Sequence, residues 1–258
     1  MSNSKYVVVI SACIDPSTSN GSMQVVSRSD PSIRLQDYIN GLHFWLNIPD
    51  RRLDKIVFIE NSGYPLDALQ KLTHVSNPLN KQVEFISLCC NDYPEGVHYG
   101  YAELNMIDEA FTLSKLLNES CYFIKATGRL TFPTISRLVD RLTDDFIFAV
   151  DCRNNAIFTP YPQVFVTTQL MIFSTSFYSK YLLNVKSELS KDMAFIESLL
   201  YKKLVIFQGK EGALLRWPVN VDPSGYSSGW YKNYDSLKQK IINKVRATCR
   251  IIFPNWWV

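Results

Sequence analysis

Short apolar, β-branched runs alternate with helically spaced segments over the first 150 residues, and this alternation constrains the fold more than any other feature. Strand-like runs occupy residues 6–13, 55–59, 83–88, 121–125 and 146–150. Between them, residues 31–46, 66–72 and 99–117 carry apolar side chains at helical spacing, as in Ile33, Tyr38, Leu42 and Trp45. Strand and helix in alternation predict βαβ units and a mostly parallel sheet flanked by helices. Such sheets bind ligands beyond the carboxyl ends of their strands. The residues there are Ser11 to Asp15, Glu60-Asn61, Asn91-Asp92, Lys125 to Arg129 and Asp151 to Arg153. All five sets are polar while the strands before them are apolar, so a polar site along one sheet edge is expected.

After residue 160 the pattern changes. Residues 164–173 read as a strand, 177–185, 192–203 and 234–249 as helices, and 209–229 as loop. No linker or repeat divides the chain. The expectation is one domain over 1–258, with a ligand-binding half at 1–153 and an acceptor half at 154–258 ending in a basic helix. The longest uncharged stretch, 154–179, contains Pro160 and Pro162 and reads as loop plus buried strand, not as a membrane span. The start of the chain is polar, without the look of a leader, and the six cysteines have neither disulfide nor zinc spacing. Buried reduced thiols in a cytoplasmic protein are expected.

Apolar residues make up 47% of the chain and charged residues 20%, which excludes a disordered chain. The net charge of +3 is too small to demand a nucleic acid, but its distribution is uneven. Residues 201–258 hold ten Lys/Arg against three Asp/Glu, and residues 1–200 hold seventeen against twenty-one. A basic tail on a mildly acidic body points to an anionic partner for the tail.

Several chemistries lack their motifs. There is no G-x-x-x-x-G-K-[ST], no G-x-G-x-x-G after the first strand, no G-x-S-x-G elbow and no zinc ligand set among the scattered His43, His74 and His98. Two strand ends carry candidate chemistry instead. Phe123-Ile-Lys-Ala-Thr-Gly-Arg129 delivers Lys125, a turn at Gly128, then Arg129, a cationic pair able to clamp a diphosphate. The plain alternative is a salt-bridged strand end. In Asp151-Cys152-Arg153, Arg153 stands where nucleotide-sugar enzymes often place the second acid of a metal-holding Asp-x-Asp. Only Asp151 remains for Mg²⁺ or Mn²⁺, and a cation at 153 could replace the metal's charge.

Ser11-Ala-Cys-Ile-Asp-Pro16, Ser27-Arg-Ser-Asp-Pro31 with Arg34 and Asp37-Tyr38, Ile56-Val-Phe-Ile-Glu-Asn-Ser62, His98-Tyr-Gly-Tyr-Ala-Glu103 with Ile107-Asp108, and Lys125-Ala-Thr-Gly-Arg129 together resemble blocks of bacterial surface-polysaccharide glycosyltransferases. These build lipopolysaccharide O-antigen or capsule on GT-A-like folds. The resemblance spans roughly residues 6–205 and departs from the family pattern at the missing Asp-x-Asp. It implies a GT-A-like α/β fold, a nucleotide-sugar donor such as a UDP-sugar, and a saccharide or lipid-linked saccharide acceptor. It also implies roles. Ala12, Cys13 and Asp15 would line the nucleotide pocket. Arg28 and Arg34 would lie near the donor phosphates or hold the loop. Glu60 and Asn61 would approach base or ribose. Glu103, in the first turn of its helix, reads as a dipole partner.

An inverting transfer needs a base for the acceptor hydroxyl. Asp192 and Glu197, placed on one helix, lie about 140° apart around it and cannot share one small site equally. Glu197, beside Phe195 and Ile196, is the better candidate; Asp192, with Ser190 as helix cap, reads as the dipole partner. In the tail, Leu237, Ile241 and Val245 recur every four residues, flanked by Lys238, Lys240, Lys244, Arg246 and Arg250. That suits an anionic bilayer at the inner membrane, or a helix docked on the core with its basic face in water. The rival functions are a nucleotidyltransferase on a similar sheet and a non-catalytic sugar-nucleotide or RNA-binding protein.

Overall fold

The computed structural model describes residues 5–20, 26–154, 164–227 and 233–253. In chain order the elements are β1 (Tyr6–Ala12), α1 (Pro31–Asn47), β2 (Lys55–Glu60), α2 (Asp67–Val75), β3 (Gln82–Ser87), α3 (Gly100–Leu113), α4 (Lys115–Asn118), β4 (Tyr122–Thr127), β5 (Leu130–Thr131), α5 (Ile135–Val139), β6 (Phe148–Ala149), β7 (Cys152–Asn154), β8 (Val164–Val166), β9 (Leu170–Ser174), α6 (Thr175–Tyr181), α7 (Ile196–Val205), β10 (Ala213–Leu214), β11 (Ser224–Gly225) and α8 (Leu237–Ile252). Seven strands form the central sheet in the order β3-β2-β1-β4-β9-β6-β10. All pairings are parallel except those of β9 with β4 and β6, so six strands point one way and β9 the other. The fold is α/β, with helices on both faces of a mostly parallel sheet.

β1 is buried along its whole length because both faces are covered. Val8 and Ile10 pack with Tyr38, Leu42 and Trp45 of α1. Val7 and Val9 pack with Leu104, Ile107 and Ala110 of α3 on the opposite face. α1 starts where the sequence says it should: Asp30 accepts the Ser32 amide at 2.8 Å, and Pro31 fills the first position, where no amide is needed.

Three expected elements come out differently. The helix expected over 99–117 breaks at Ser114, because Glu84 of β3 accepts the Ser114 hydroxyl at 2.5 Å and the Lys115 amide at 3.2 Å, and Ser114 caps α4. The strand expected over 164–173 is two strands in two sheets, since Thr167 and Thr168 turn the chain between β8 and β9. The helix expected from 192 begins only at Ile196. Asp192 lies in an exposed turn closed by Ser190 and Met193, so it is neither in a helical first turn nor in the site. Of the cysteines, only Cys152 is fully buried, while Cys89 and Cys121 are exposed; all six are unbridged. The loop expected around Pro160 and Pro162 lies outside the described residues.

Gly128 lies in the expected turn after β4, with ordinary negative φ, and it also permits close packing. α1 crosses the end of β4 so tightly that a Cβ at Gly41 would stand 1.9 Å from the Gly128 carbonyl oxygen. A Cβ at Gly128 would meet Ile10 and Tyr38 at 2.7 and 2.9 Å. Gly41→Ala is therefore expected to destabilise the protein by ~1–3 kcal/mol, the scale of overpacking, despite alanine's better helix propensity. A urea midpoint at or above that of the parent would contradict this.

Candidate functional site

Four of the five polar strand ends converge on one cleft at the carboxyl edge of the sheet. Its floor is Ser11, Ala12 and Cys13 from β1, Asn61 after β2, Asn91 after β3, and Thr127 and Arg129 from the end of β4. Arg34 and Tyr38 of α1 line one side, Tyr99 and Glu103 at the start of α3 and Glu197 of α7 the other. Because β9 runs against its neighbours, its beginning lies at this edge, and Thr168 and Gln169 join the wall. Sequence reading missed these two, because no local signal says that a strand runs antiparallel.

Two carboxylates face the cleft from the starts of α3 and α7. These helices meet closely: a Cβ at Gly100 would stand 2.4 Å from Ile196 Cγ2. Glu103 Oε1 accepts the Lys125 ammonium at 2.5 Å and the Ser11 hydroxyl at 3.0 Å. Glu197 Oε1 accepts the Thr168 hydroxyl at 3.2 Å. Burial pushes the Glu197 carboxyl above the usual carboxylate range, and the Glu103 charge pushes the same way; the Thr168 hydroxyl and the Lys125 charge act against them. Glu103 had read as a mere dipole partner. A lysine inside an apolar strand was the signal for it, since a buried ammonium needs a carboxylate.

The structure reassigns several expected donor-site residues. Lys125 is fully buried, and besides Glu103 it donates to Thr127 Oγ1 at 3.2 Å and the Thr168 carbonyl at 2.5 Å, so no proton remains for a diphosphate. Glu60 is fully buried and turned inward, accepting the amides of Ile14, Ser62 and Tyr64 and thereby tying together the loops after β1 and β2. Asp15 caps a single helical turn at Pro16–Thr18. Arg28 is paired with Asp37 at 2.5 Å and lies over the Tyr226 ring. Arg34 lines the cleft, but its guanidinium binds the carbonyls of Cys13, Ile14 and Arg28 and so shapes the β1 loop. Burial pushes the Cys13 thiol up to about 11, so it is no thiolate.

Asp151 and Arg153 do not line the cleft. Asp151 is wholly buried, held by Arg153 Nε at 2.8 Å and by Arg250 of α8 at 2.6 Å. With both oxygens engaged by guanidinium groups it does not fit a metal ion, and among the described residues no group of three His, Cys, Asp or Glu could hold one.

Two polar atoms at the cleft are buried without a hydrogen-bond partner among the described residues: Arg129 Nε, a donor, and Asn61 Oδ1, an acceptor. Both residues are otherwise anchored, Arg129 by Nη1 to the Tyr226 carbonyl at 2.9 Å and Asn61 by Nδ2 to Asn91 Oδ1 at 3.3 Å. They stand at the ends of the two strands that flank β1. An unpaired buried polar group costs about 1–3 kcal/mol.

No protein-family model matches the chain, and no curated protein is significantly similar to it. Solved structures show a distant likeness of chain course. A cytidylyltransferase from Leptospira borgpetersenii matches at 12% identity and TM-score 0.45, over 96% of this chain and 87% of that one. The mannosyltransferase Ktr4p from S. cerevisiae matches at 11% identity and TM-score 0.42, over 72% and 60%. Mouse xyloside xylosyltransferase 1 matches at 7% identity and TM-score 0.38, over 79% and 81%. Likeness at this level concerns the course of the chain and does not select a chemistry.

Proposed function

We propose that the protein is a glycosyltransferase that moves a sugar from a nucleotide diphosphate donor, a UDP-sugar, to a hydroxyl of a saccharide acceptor. The observation that carries this reading is the cleft itself, which brings Arg129 and Asn61 from two strand ends together with a carboxyl of raised pKa, that of Glu197. Arg129 supplies charge to the diphosphate, and Asn61 accepts from the ribose or base. Glu197 takes the proton of the acceptor hydroxyl as that oxygen bonds to the anomeric carbon. The bond from that carbon to the diphosphate breaks, and its electron pair leaves with UDP. The outcome is inversion at the anomeric carbon. Glu103, fixed by Lys125, holds the sugar or the attacking hydroxyl. On this reading the chain is one catalytic domain, with donor contacts from residues 1–153 and the base from 154–258.

Arg129→Ala is expected to weaken UDP binding by ~1.5–3 kcal/mol, the scale of a charge-assisted hydrogen bond, with the circular dichroism unchanged. Unchanged affinity in calorimetry removes Arg129 from the donor site. The class of reaction is read from the leaving group: slow release of UDP from a UDP-sugar fits this proposal. Release of pyrophosphate from a nucleoside triphosphate and a sugar phosphate overturns it in favour of nucleotidyl transfer. A thermal-shift series with UDP-, GDP- and CMP-sugars identifies the donor, since a ligand that binds only the native state raises its stability.

A further inference from the structure

The C-terminal helix α8 is mounted with its polar side inward. Gln239 is buried, and Arg250 reaches Asp151 at 2.6 Å and Asn220 Oδ1 at 3.1 Å. Arg246, on the same side, is desolvated and crowded by the guanidinium groups of Arg153 and Arg250, which push it down to about 10. These three residues fall on one side of the helix, with the half-buried Ile242 beside them, and most of the other apolar residues fall on the opposite side. Leu237 is 75% exposed, Ile241 54%, Val245 47% and Ile252 60%. At 100° per residue these four occupy an arc of about 80°. Lys238 borders one edge of the arc and Lys240 and Lys244 the other, all exposed. The helix contains no acidic residue. Ile251 and Phe253 extend the exposed apolar surface at its end. Among the described residues no helix is long and apolar enough to cross a membrane.

A solvated helix normally turns an apolar stripe to the core. Here the core side is taken by ionic contacts to a buried aspartate, which leaves the stripe on the outside. A contiguous exposed apolar surface of this kind is retained where something covers it. The charge says what. A second copy would bring the lysine borders of two α8 helices together, where like charges repel. An anionic bilayer matches both parts of the pattern: the stripe enters the acyl boundary, and the lysines extend their apolar stems along it to reach anionic headgroups.

We propose that α8 is an interfacial anchor that lays its outward stripe of Leu237, Ile241, Val245 and Ile252 into an anionic bilayer. This goes beyond the transfer reaction and does not depend on which transfer the cleft performs. It also assigns Arg246 and Arg250 an anchoring role inward, not a lipid-facing one.

The test is co-sedimentation of the full chain with vesicles of phosphatidylethanolamine and phosphatidylglycerol, against vesicles of phosphatidylcholine alone. The parent is expected in the pellet with the anionic vesicles only, and less so at high salt, where headgroup attraction is screened. Leu237→Ser/Ile241→Ser/Val245→Ser is expected in the supernatant with its fold intact, because the three side chains are exposed in the parent. Each of Lys238→Gln, Lys240→Gln and Lys244→Gln is expected to lower partitioning ~fivefold. A parent that ignores anionic vesicles at low salt overturns the proposal, as does a stripe variant that pellets like the parent. A parent that sediments as a dimer without lipid, and a stripe variant that is monomeric, also overturn it by making the face a contact between copies.

Discussion

Glu197→Gln should lower kcat by ~10²–10⁴ and leave the dissociation constant for UDP unchanged. The loss is that of a general base whose removal does not touch the donor contacts, since Glu197 belongs to α7 while Asn61 and Arg129 stand at the ends of β2 and β4. Its pH profile is a second, independent readout. The carboxyl must be ionised to accept the proton, and burial holds its pKa above the usual carboxylate range. Activity of the parent is therefore expected to rise with pH through a value above that range, and this limb should vanish in Glu197→Gln. The same shift acts on stability with the opposite sense. Protonation of Glu197 is easier in the folded state than in the unfolded chain, so its contribution to stability is full below the unfolded pKa. It is lost as pH rises through the folded one. Glu197→Gln removes this dependence. A variant with near-normal kcat takes Glu197 out of the mechanism, and retention of anomeric configuration in the product, read by NMR, removes the need for any such base.

Lys125→Met should destabilise the protein by ~3 kcal/mol, the larger of the two stability effects expected. Lys125 is fully buried, and its ammonium pairs with Glu103 at 2.5 Å. Removing it leaves the Glu103 carboxylate without its cation at a partly dry site, and breaking one partner of a buried pair costs about 3–5 kcal/mol. The low end applies because the Glu103 side chain is 17% exposed, so water recovers part of the loss. Lys125→Met with Glu103→Gln should regain most of the stability, because replacing both members leaves no uncompensated charge. A single variant as stable as the parent in urea unfolding would show that the pair contributes nothing. The single variant also carries a functional signature. The Lys125 charge is one of the influences that hold the Glu197 carboxyl down, so its loss should move the rising limb of the pH profile to higher pH. A merely structural lysine would lower the amount of active protein and leave that limb in place.

The comparison between sequence and structure turns on the range of each interaction. β1, β2 and β4 were legible because burial on both faces of a parallel strand forces a continuous β-branched run, a local pattern. α1 was legible through the helical spacing of Ile33, Tyr38, Leu42 and Trp45, which is also a local pattern. That the cleft should lie beyond the carboxyl ends of these strands followed from handedness and connectivity alone, and Ala12, Cys13, Asn61 and Arg129 do line it. What each strand-end charge would do was not legible, because its partner lies far along the chain. Lys125 was claimed by Glu103, Asp151 by Arg250, and Glu60 by the amides of the two loops beside it. Composition cannot distinguish a cation left free for a ligand from one already spent on a buried carboxylate; only the packing of α3 on β4 decides that. The antiparallel course of β9, which brings Thr168 and Gln169 to the cleft, has no sequence period of its own. The outward face of α8 was decided by a contact between distant parts of the chain. Its stripe reads alike whether it packs on a core or faces a membrane, and the ion pair between Arg250 and Asp151, 99 residues apart in the chain, turns it outward.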